Sequence, residues 1–225
     1  MTLRLVVFDV DGTLVDSQAD ILSAMGAAFA LAGQTAPDRD QILGIVGLSL
    51  PEAMGALAPE LSEKTRAGMV DAYKVAYMQL RAEMGVEKSS PLYPHVRDVL
   101  GRLHGQDNTL LGLATGKSRR GLDKLVEGHD LGRLFVTRQC ADDHPSKPHP
   151  SMLQAALSET GVRADQAVMV GDTSYDMQMA RAAGLTAVGV TWGYHTRDRL
   201  AEAHAVIDDI RDLPMLLDEL WGPDR

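Results

Sequence analysis

The stretch LVVFDVDGTLVDS, residues 5–17, decides the fold of this chain because an apolar run leads directly into Asp9 and Asp11. The run Leu3–Phe8 is short and rich in β-branched residues, which predicts a buried strand. Two carboxylates one residue apart at the end of such a strand are costly unless something neutralises them. The stretch therefore predicts a central strand with a charged site at its carboxyl end.

The strand pattern is then interrupted by a segment with helical periodicity. Ala, Met and Leu recur at helical spacing over 17–88, with helices predicted over 40–58 and 60–84. Ser17 and Asp20 have the spacing of a capping pair that would open an earlier helix, extending through Ala32. We interpret residues 17–88 as an all-helical insertion that begins just past the two aspartates.

From residue 94 onward, short apolar runs alternate with helical patterns, which is typical of a parallel sheet covered by helices. Strands are predicted at 110–114, 134–137, 167–170, 186–190 and 205–207, and helices at 94–105, 118–128, 149–160 and 174–183 before a final helix. The fold class is therefore α/β, a Rossmann-like, doubly wound parallel sheet with an inserted all-helical cap domain. The core would comprise residues 1–16 and 89–225, and the cap residues 17–88.

Composition excludes several classes of function. The chain has 225 residues, 45% of them hydrophobic, a formal net charge of −9 and one cysteine, Cys140. The negative charge argues against a duplex nucleic-acid partner, and a single cysteine allows no intrachain disulfide. No apolar run of about 18 residues indicates a membrane span. We expect a cytoplasmic protein, a monomer or homodimer, whose anionic substrate would need a local attracting device.

Polar residues follow three further strands where each strand ends. Thr115 and Gly116 end the second, Lys147 lies in the loop ADDHPSKPHP after the third, and GDTSYD after the fourth carries Asp172 and Asp176. The carboxyl ends of parallel strands share one edge of a sheet, so these side chains are expected in one crevice with the first two aspartates.

The chemistry of this crevice suits a metal and a phosphate. Close carboxylates cannot all remain ionised without a cation among them, and oxygen ligands with room for water suit Mg²⁺. A hydroxyl and backbone N–H groups at the Thr115 turn, together with Lys147, can bind a phosphate. An aspartate in line with the phosphorus can act as a nucleophile and form an aspartyl-phosphate.

These four segments, in this order, resemble the motifs of the haloacid dehalogenase-like hydrolase superfamily. DVDGTLVDS is similar to its first motif, ATG to its second, SKPHP to its third and GDTSYD to its fourth, so the resemblance covers essentially the whole chain. The helical block is similar to the small α-helical cap of the phosphoglycolate phosphatase branch, and VGVTWGY at 188–194 also resembles that branch.

The resemblance implies a role for each matching residue. Asp9 would be the nucleophile and a metal ligand, and Asp11 the general acid/base, with its backbone carbonyl also on Mg²⁺. Phosphate binding would fall to Thr115, Gly116 and Lys147, and metal binding to Asp172, with Asp176 supporting the metal indirectly or through water. Asp176 also has a structural interpretation, because Thr173-x-x-Asp176 matches a capping box; the two roles can coexist.

The resemblance favours a Mg²⁺-dependent phosphatase that hydrolyses a small phosphorylated metabolite. The family's dehalogenases lack an acid at the position of Asp11 and its ATPases have threonine there. The best single guess for the substrate is 2-phosphoglycolate; the alternatives are a phosphomutase of the β-phosphoglucomutase type, a pyrophosphatase or a phosphonatase. The glycine-rich segment 43–54, with Gly47 and Leu48, is predicted to select the substrate, although it offers no cation. His195 is expected at the surface or facing the cap, near the crevice.

Overall fold

The computed structural model describes residues 2–222, and the strands in it form one parallel sheet in the order β3-β2-β1-β4-β5-β6. The strands are β1 Arg4–Phe8, β2 Thr109–Thr115, β3 Phe135–Cys140, β4 Ala167–Gly171, β5 Thr186–Val190 and β6 Ala205–Ile207. β1 lies centrally between β2 and β4. This confirms the predicted α/β fold with a doubly wound parallel sheet, and each strand lies within a few residues of its predicted position.

The helical block between β1 and β2 is also present. Its helices are α1 Gln18–Leu31, α2 Arg39–Leu43, α3 Leu50–Leu57, α4 Glu63–Met84 and α5 Val86–Ser89. They enclose an apolar cluster of their own that includes Met25, Phe29, Met54 and Met69. A separate core of this kind supports treating the block as a cap, whose proposed bounds remain 17–88.

The prediction of one helix over 40–58 is wrong, because a loop at 44–49 separates α2 from α3. Gly47 in this loop has φ +105°, a conformation that side-chain-bearing residues rarely adopt and that a helix cannot contain. Pro51 then stands in the first turn of α3, where a missing N–H is harmless. The apolar periodicity of the segment conceals this interruption, because both short helices bury the same face.

The core helices are α6 Val96–His104, α7 Arg119–Gly128, α8 Ser151–Thr160, α9 Ser174–Ala183 and α10 Leu213–Trp221. Alternate residues of β1 point to opposite faces of the sheet. Val6 and Phe8 pack in a cluster with α6, α7 and α10, whereas Leu5 and Val7 pack in a cluster with α8 and α9. The sheet is therefore buried on both faces, and its carboxyl edge is left for the site.

The predicted capping pair at α1 is wrong. Ser17 occupies the N-cap position, but its side chain makes no capping bond and donates to the Asp11 carboxylate instead. Asp20 accepts a hydrogen bond from Ser89 Oγ. Both carboxylates are buried, and a buried carboxylate needs a donor more than a helix end does.

The two segments that join the cap to the core are paired with each other. Asp16 N donates to Pro91 O at 2.9 Å, and Tyr93 N donates to Leu14 O at 3.0 Å. The return segment is partly helical, because α5 ends at Ser89, and both Ser89 and Ser90 are buried. Within residues 2–222, no helix has both the length and the apolarity needed to cross a bilayer. The ends of the predicted core, residue 1 and residues 223–225, lie outside the described residues.

Candidate active site

The carboxyl edge of the sheet brings the predicted residues together as the strand order requires. Asp9 follows β1, Thr115 ends β2 and Asp172 follows β4, while the loop after β3 carries Lys147 back toward β1. All four residues are at least 99% buried. The neighbouring strands β2, β1 and β4 thus converge on one site, in agreement with the carboxyl-end rule.

Lys147 contacts two of the carboxylates in this cluster. Its Nζ lies 2.7 Å from Asp9 Oδ1 and 2.6 Å from Asp176 Oδ1, with all three side chains excluded from solvent. Burial alone would lower the pKa of Lys147, but the two carboxylates outweigh it and hold that pKa above its ordinary value. The lysine is therefore a fixed cation between two acids.

The charges of the cluster do not balance with protein groups alone. Oxygens of Asp9, Asp172 and Asp176 all lie within 4.8 Å of one another, against the single ammonium of Lys147. Burial, opposed by Lys147 and assisted by Asp176, raises the pKa of Asp9 from 3.8 to about 7. Burial and the neighbouring acids likewise raise the pKa of Asp172 well above its usual range. Such shifts mark a site that lacks positive charge.

The residues present fit a divalent cation. Asp9 Oδ2 is buried and has no hydrogen-bond partner among the described residues. Asp172 is held in place, because it accepts hydrogen bonds from Thr13 Oγ1 at 2.9 Å and from Tyr194 N at 2.8 Å. Fixed carboxylate oxygens around an unpaired one form a donor set for a hard cation such as Mg²⁺.

Asp176 combines the two interpretations that the sequence left open. Its Oδ2 accepts from Thr173 N at 3.1 Å, and Thr173 Oγ1 in turn accepts from Asp176 N, which completes a capping box at the start of α9. Its other oxygen is the one that contacts Lys147. The helix end therefore fixes a carboxylate that also belongs to the charged cluster.

The Asp11 side chain lines the same cavity as Asp9 but is not part of the group of Asp9, Asp172 and Asp176 whose oxygens lie within 4.8 Å of one another. Its Oδ1 is 2.8 Å from Lys117 Nζ and also accepts a hydrogen bond from Ser17 Oγ. Burial opposes the charge of Lys117, but Asp11 outweighs burial and the pKa of the lysine is raised. The Asp11 carboxylate is thus paired with the ammonium of Lys117.

The cap loop covers the predicted phosphate-binding turn. A Cβ added to Gly116 would come within 2.5 Å of Leu48 O and 2.8 Å of Gly47 O, so only glycine permits this approach of two backbones. Beside the turn, Thr115 Oγ1 accepts from Lys117 N at 3.2 Å. The predicted specificity residues and the predicted phosphate site are therefore in direct proximity.

Cap and core enclose a cavity of about 770 Å³. The core contributes the catalytic candidates to its lining: Asp9, Asp11, Thr115, Gly116 and Lys117. The cap contributes the loop with Gly47 and Leu48 and one face of α4 with Tyr73, Tyr77 and Arg81. The volume is within the range of small-molecule sites.

His195 is buried rather than at the surface, and it faces the cap as expected. Its Nδ1 accepts from Ser174 N at 3.0 Å, which leaves Nε2 to donate to Gly44 O at 3.1 Å. Burial, assisted by Arg199, lowers the pKa of this imidazole and favours the neutral form that makes both bonds. His195 links the start of α9 to the cap loop and is not among the residues that line the cavity.

Several residues of the site were not predicted to belong to it. Lys117 and Ser17 hold Asp11, and Thr13 and Tyr194 hold Asp172. Thr13 lies within the first motif and Lys117 directly follows the second, so their positions in the sequence could have indicated that they belong to the site. Tyr194 is distant in sequence and reaches Asp172 through a backbone N–H, which no side-chain pattern encodes.

The comparisons agree with this architecture. Residues 6–190 match the model of the haloacid dehalogenase-like hydrolase family. A probable phosphatase, IndB, of Dickeya dadantii is 36% identical, over 93% of this chain and 91% of the relative. A phosphoglycolate phosphatase of Pseudomonas fluorescens is 34% identical, over 98% of this chain and 84% of the relative.

A solved structure with a distant sequence has a similar fold. The crystal structure of β-phosphoglucomutase from Clostridium difficile has a TM-score of 0.83 at 18% identity, covering 97% of both chains. At that identity the likeness concerns the fold alone.

The fold and the site define an α/β enzyme whose buried aspartates meet beneath a helical cap. The chain belongs to the haloacid dehalogenase-like hydrolases, and the family match with relatives named as phosphatases confirms the prediction of a phosphatase.

Proposed function

We propose that this enzyme hydrolyses small phosphate monoesters through an aspartyl-phosphate on Asp9, with Mg²⁺ as its metal. The observation that carries the proposal is the unpartnered, buried oxygen of Asp9 within a fixed cluster of carboxylates, beside a cavity between cap and core. A carboxylate that is desolvated and held in place has the properties of a nucleophile for phosphoryl transfer.

Asp9 and Asp172 would hold the metal, with the Asp11 backbone carbonyl as the further ligand that the family resemblance implies and Asp176 supporting the metal indirectly or through water. When bound, the ion neutralises charge on the transferring phosphoryl oxygens. Lys147 offers its ammonium on the Asp9 side of the cluster, and the Thr115 hydroxyl with the N–H groups of the following turn would bind the remaining phosphate oxygens.

In the first half of the proposed reaction, Asp9 attacks the phosphorus and the P–O bond to the alcohol breaks. Asp11, which enters this half as the carboxylic acid, donates its proton to the departing alkoxide and is left as the carboxylate. In the second half, Asp11 removes a proton from a water that attacks the phosphorus, the bond to Asp9 breaks and inorganic phosphate leaves. Ser17 and Lys117 orient Asp11 for both transfers, because each contacts its Oδ1.

We propose 2-phosphoglycolate as the leading substrate. The support is the name of the Pseudomonas fluorescens relative, together with a cationic cavity wall that is described below. A phosphomutase would share the first half of the reaction and pass the phosphoryl group to a hydroxyl of a sugar rather than to water. No residue of the described site favours that outcome over hydrolysis.

The test is a panel of phosphate esters assayed with purified protein in Mg²⁺ and in excess EDTA. We expect inorganic phosphate to be released in equal amount to the alcohol, only with the metal present, and with the highest kcat/KM for 2-phosphoglycolate. Release without metal would overturn the metal assignment. Transfer without release of inorganic phosphate would identify a mutase, and absence of turnover on every ester would refute the function.

A further inference from the structure

Arg81 of α4 has hydrogen-bonding capacity that the described part of the chain does not use. It lines the cavity on the cap side, opposite the core residues that include Asp9. Its Nη1 donates to Gly121 O at the start of α7, at 3.1 Å. Its Nε and Nη2 are buried and have no partner among residues 2–222.

The unused pair of nitrogens has a specific chemistry. Nε and Nη2 form the lateral edge of the guanidinium, which binds the two oxygens of a carboxylate or phosphate through parallel hydrogen bonds. The guanidinium remains charged at any physiological pH, so it cannot relieve its burial by losing a proton. A buried donor without an acceptor is costly, and an anionic ligand in the cavity would remove that cost.

The surroundings of Arg81 favour an anion over a neutral group. The cavity is also lined by the cations Lys74, Lys117, Arg120 and Lys124. Among residues 2–222, Asp142 is the one acidic lining residue besides Asp9 and Asp11. Lys117 is occupied by Asp11, and Lys124 by Glu127. On a chain with a net charge of −9, this wall is a local attracting device for anions.

The position of Arg81 is fixed by contacts on two sides. Its Cζ lies 5.2 Å from the centroid of the Tyr77 ring, and Lys117 Nζ lies 5.0 Å from the same centroid. The bond to Gly121 joins the cap helix to the core. Because the free edge is held while the cap contacts the core, binding there would favour the closed arrangement.

We propose that Arg81 binds a second oxyanion of the substrate, remote from the reacting phosphate, and thereby selects phosphate monoesters that carry one. The inference rests on the proposed phosphatase function and assigns to a residue the cationic contact that the loop 43–54 does not provide. The second group is a carboxylate or another phosphoryl group, since both offer two oxygens to the same edge.

The experiment compares matched substrates in wild-type protein and in the variants Arg81→Ala and Arg81→Lys. The first set of substrates, the anionic arms, carries a second anionic group. It consists of ω-phosphonooxy carboxylic acids with one to three carbons between the ester oxygen and the carboxylate, and of terminal bisphosphates with carbon chains of matching length. The neutral arms are ethyl, propyl and butyl phosphate. The readout is the ratio of kcat/KM for each anionic ester to that for its neutral counterpart.

We expect wild-type protein to prefer at least one anionic arm, and Arg81→Ala to reduce that ratio about 10–100-fold, the range for lost hydrogen bonds to a charged group. Arg81→Lys should give an intermediate ratio, because it restores charge without the paired donors. The matched control is Arg66→Ala on the same helix, whose guanidinium donates to cap carbonyls outside the cavity and whose loss should leave the ratio unchanged.

Two results would overturn the inference. One is wild-type protein that hydrolyses neutral and anionic esters equally; the other is an Arg81→Ala variant in which both arms fall together, which would mean a structural role through Gly121. Melting temperatures of all variants identify any that fail to fold. If Arg81→Ala does not fold, the ratio of kcat/KM for anionic to neutral esters is measured in Arg81→Lys instead. Absence of turnover on every ester would instead refute the proposed function, so the two failures are distinguishable.

Discussion

The two walls of the cavity differ in which polar atoms they leave unpaired within residues 2–222, an acceptor oxygen of Asp9 on the core wall and two donor nitrogens of Arg81 on the cap wall. Behind the core wall, Lys147 and Asp172 each have two close partners, and these contacts hold the carboxylates at the ends of central strands. On the cap wall, Tyr73 and Tyr77 stack at 5.8 Å and present an aromatic surface, while Arg81 retains two unpartnered nitrogens. The core wall therefore presents fixed charges, and the cap wall presents donor nitrogens that are free to bind a ligand.

This difference suggests a division of labour between the walls. Chemistry on a phosphate needs groups held to within a fraction of an ångström, which buried strand ends provide. Selection of the rest of the substrate needs a surface that can approach and withdraw, which a separately packed cap provides. Changes in the core wall should therefore affect every ester, and changes in the cap wall should alter their order.

The largest effect is expected from Asp9→Asn. Removal of the nucleophile should reduce kcat at least about 10⁴-fold on every ester and abolish acid-stable labelling of the protein by a phosphate donor. The matched control is Asp142→Asn, an acidic residue that lines the same cavity outside the cluster and should retain most activity. Substantial turnover by Asp9→Asn would contradict its role.

Asp11→Asn should slow turnover by about 10²–10⁴-fold, the usual range for a lost general acid–base. The loss should be smaller for esters with good leaving groups, such as p-nitrophenyl phosphate, because these need no proton. The measurement is the dependence of log kcat on leaving-group pKa in both proteins. Equal slopes would argue against Asp11 as the acid.

Thr115→Val removes a hydroxyl while keeping the shape of the side chain, and should lower kcat/KM about 10²-fold on all esters alike. Its control is Thr109→Val at the opposite end of the same strand, where the hydroxyl bonds to Gln106. A change in the ranking of esters in Thr115→Val would break the proposed distinction between the walls.

Metal removal should make stability depend on pH in a defined direction. Burial raises the pKa of Asp9 from 3.8 to about 7, so between these values the metal-free folded protein binds a proton that the unfolded chain has released. Stability in EDTA should therefore fall as pH rises from 5 to 7.5, by on the order of 2 kcal/mol. Urea unfolding of wild-type protein and Asp9→Asn at both pH values measures it.

Saturating Mg²⁺ should remove most of this slope, because the ion stabilises the ionised carboxylate. Asp9→Asn should also have a shallower slope in EDTA than wild-type protein. The same slope in all three cases would mean that Asp9 carries no raised pKa.

Leu48→Ala should have the smallest effect, a change of about 10-fold in the ratio of kcat/KM between large and small esters. Leu48 lines the cavity, whereas Leu61 packs within the cap and does not. Leu61→Ala is therefore the control for general loosening of the cap. A uniform fall on all esters in Leu48→Ala would show that the loop 43–54 does not select the substrate.

Much of the fold and of the core wall could be predicted because both depend on local patterns. The apolar run before Asp9 is short and rich in β-branched residues, which favours a buried strand, and each later strand has an apolar run of its own. The strand order then places Thr115 and Asp172 beside Asp9 without further information. Lys147 was placed through its motif, since its loop has no periodicity of its own.

The predictions fail where a side chain has two possible partners. Ser17 matches a helix cap by spacing, but in the folded chain it donates to Asp11, whose carboxylate is buried beside it. The break at 44–49 was missed because Gly47 interrupts a helix without interrupting the apolar pattern. Lys117 had no predicted role because its partner Asp11 lies on another strand end.

The sequence by itself determined the α/β class, the helical insertion and the set of residues at the carboxyl edge, because periodicity and strand-end position are local properties. Only the tertiary structure decided which charges meet, namely Asp11 with Lys117 and Asp176 with Lys147. It also leaves one edge of the Arg81 guanidinium without an acceptor among the described residues. Each of these outcomes depends on which groups lose water together when cap and core close. Desolvation is a property of the packed molecule, and no spacing along the chain encodes it.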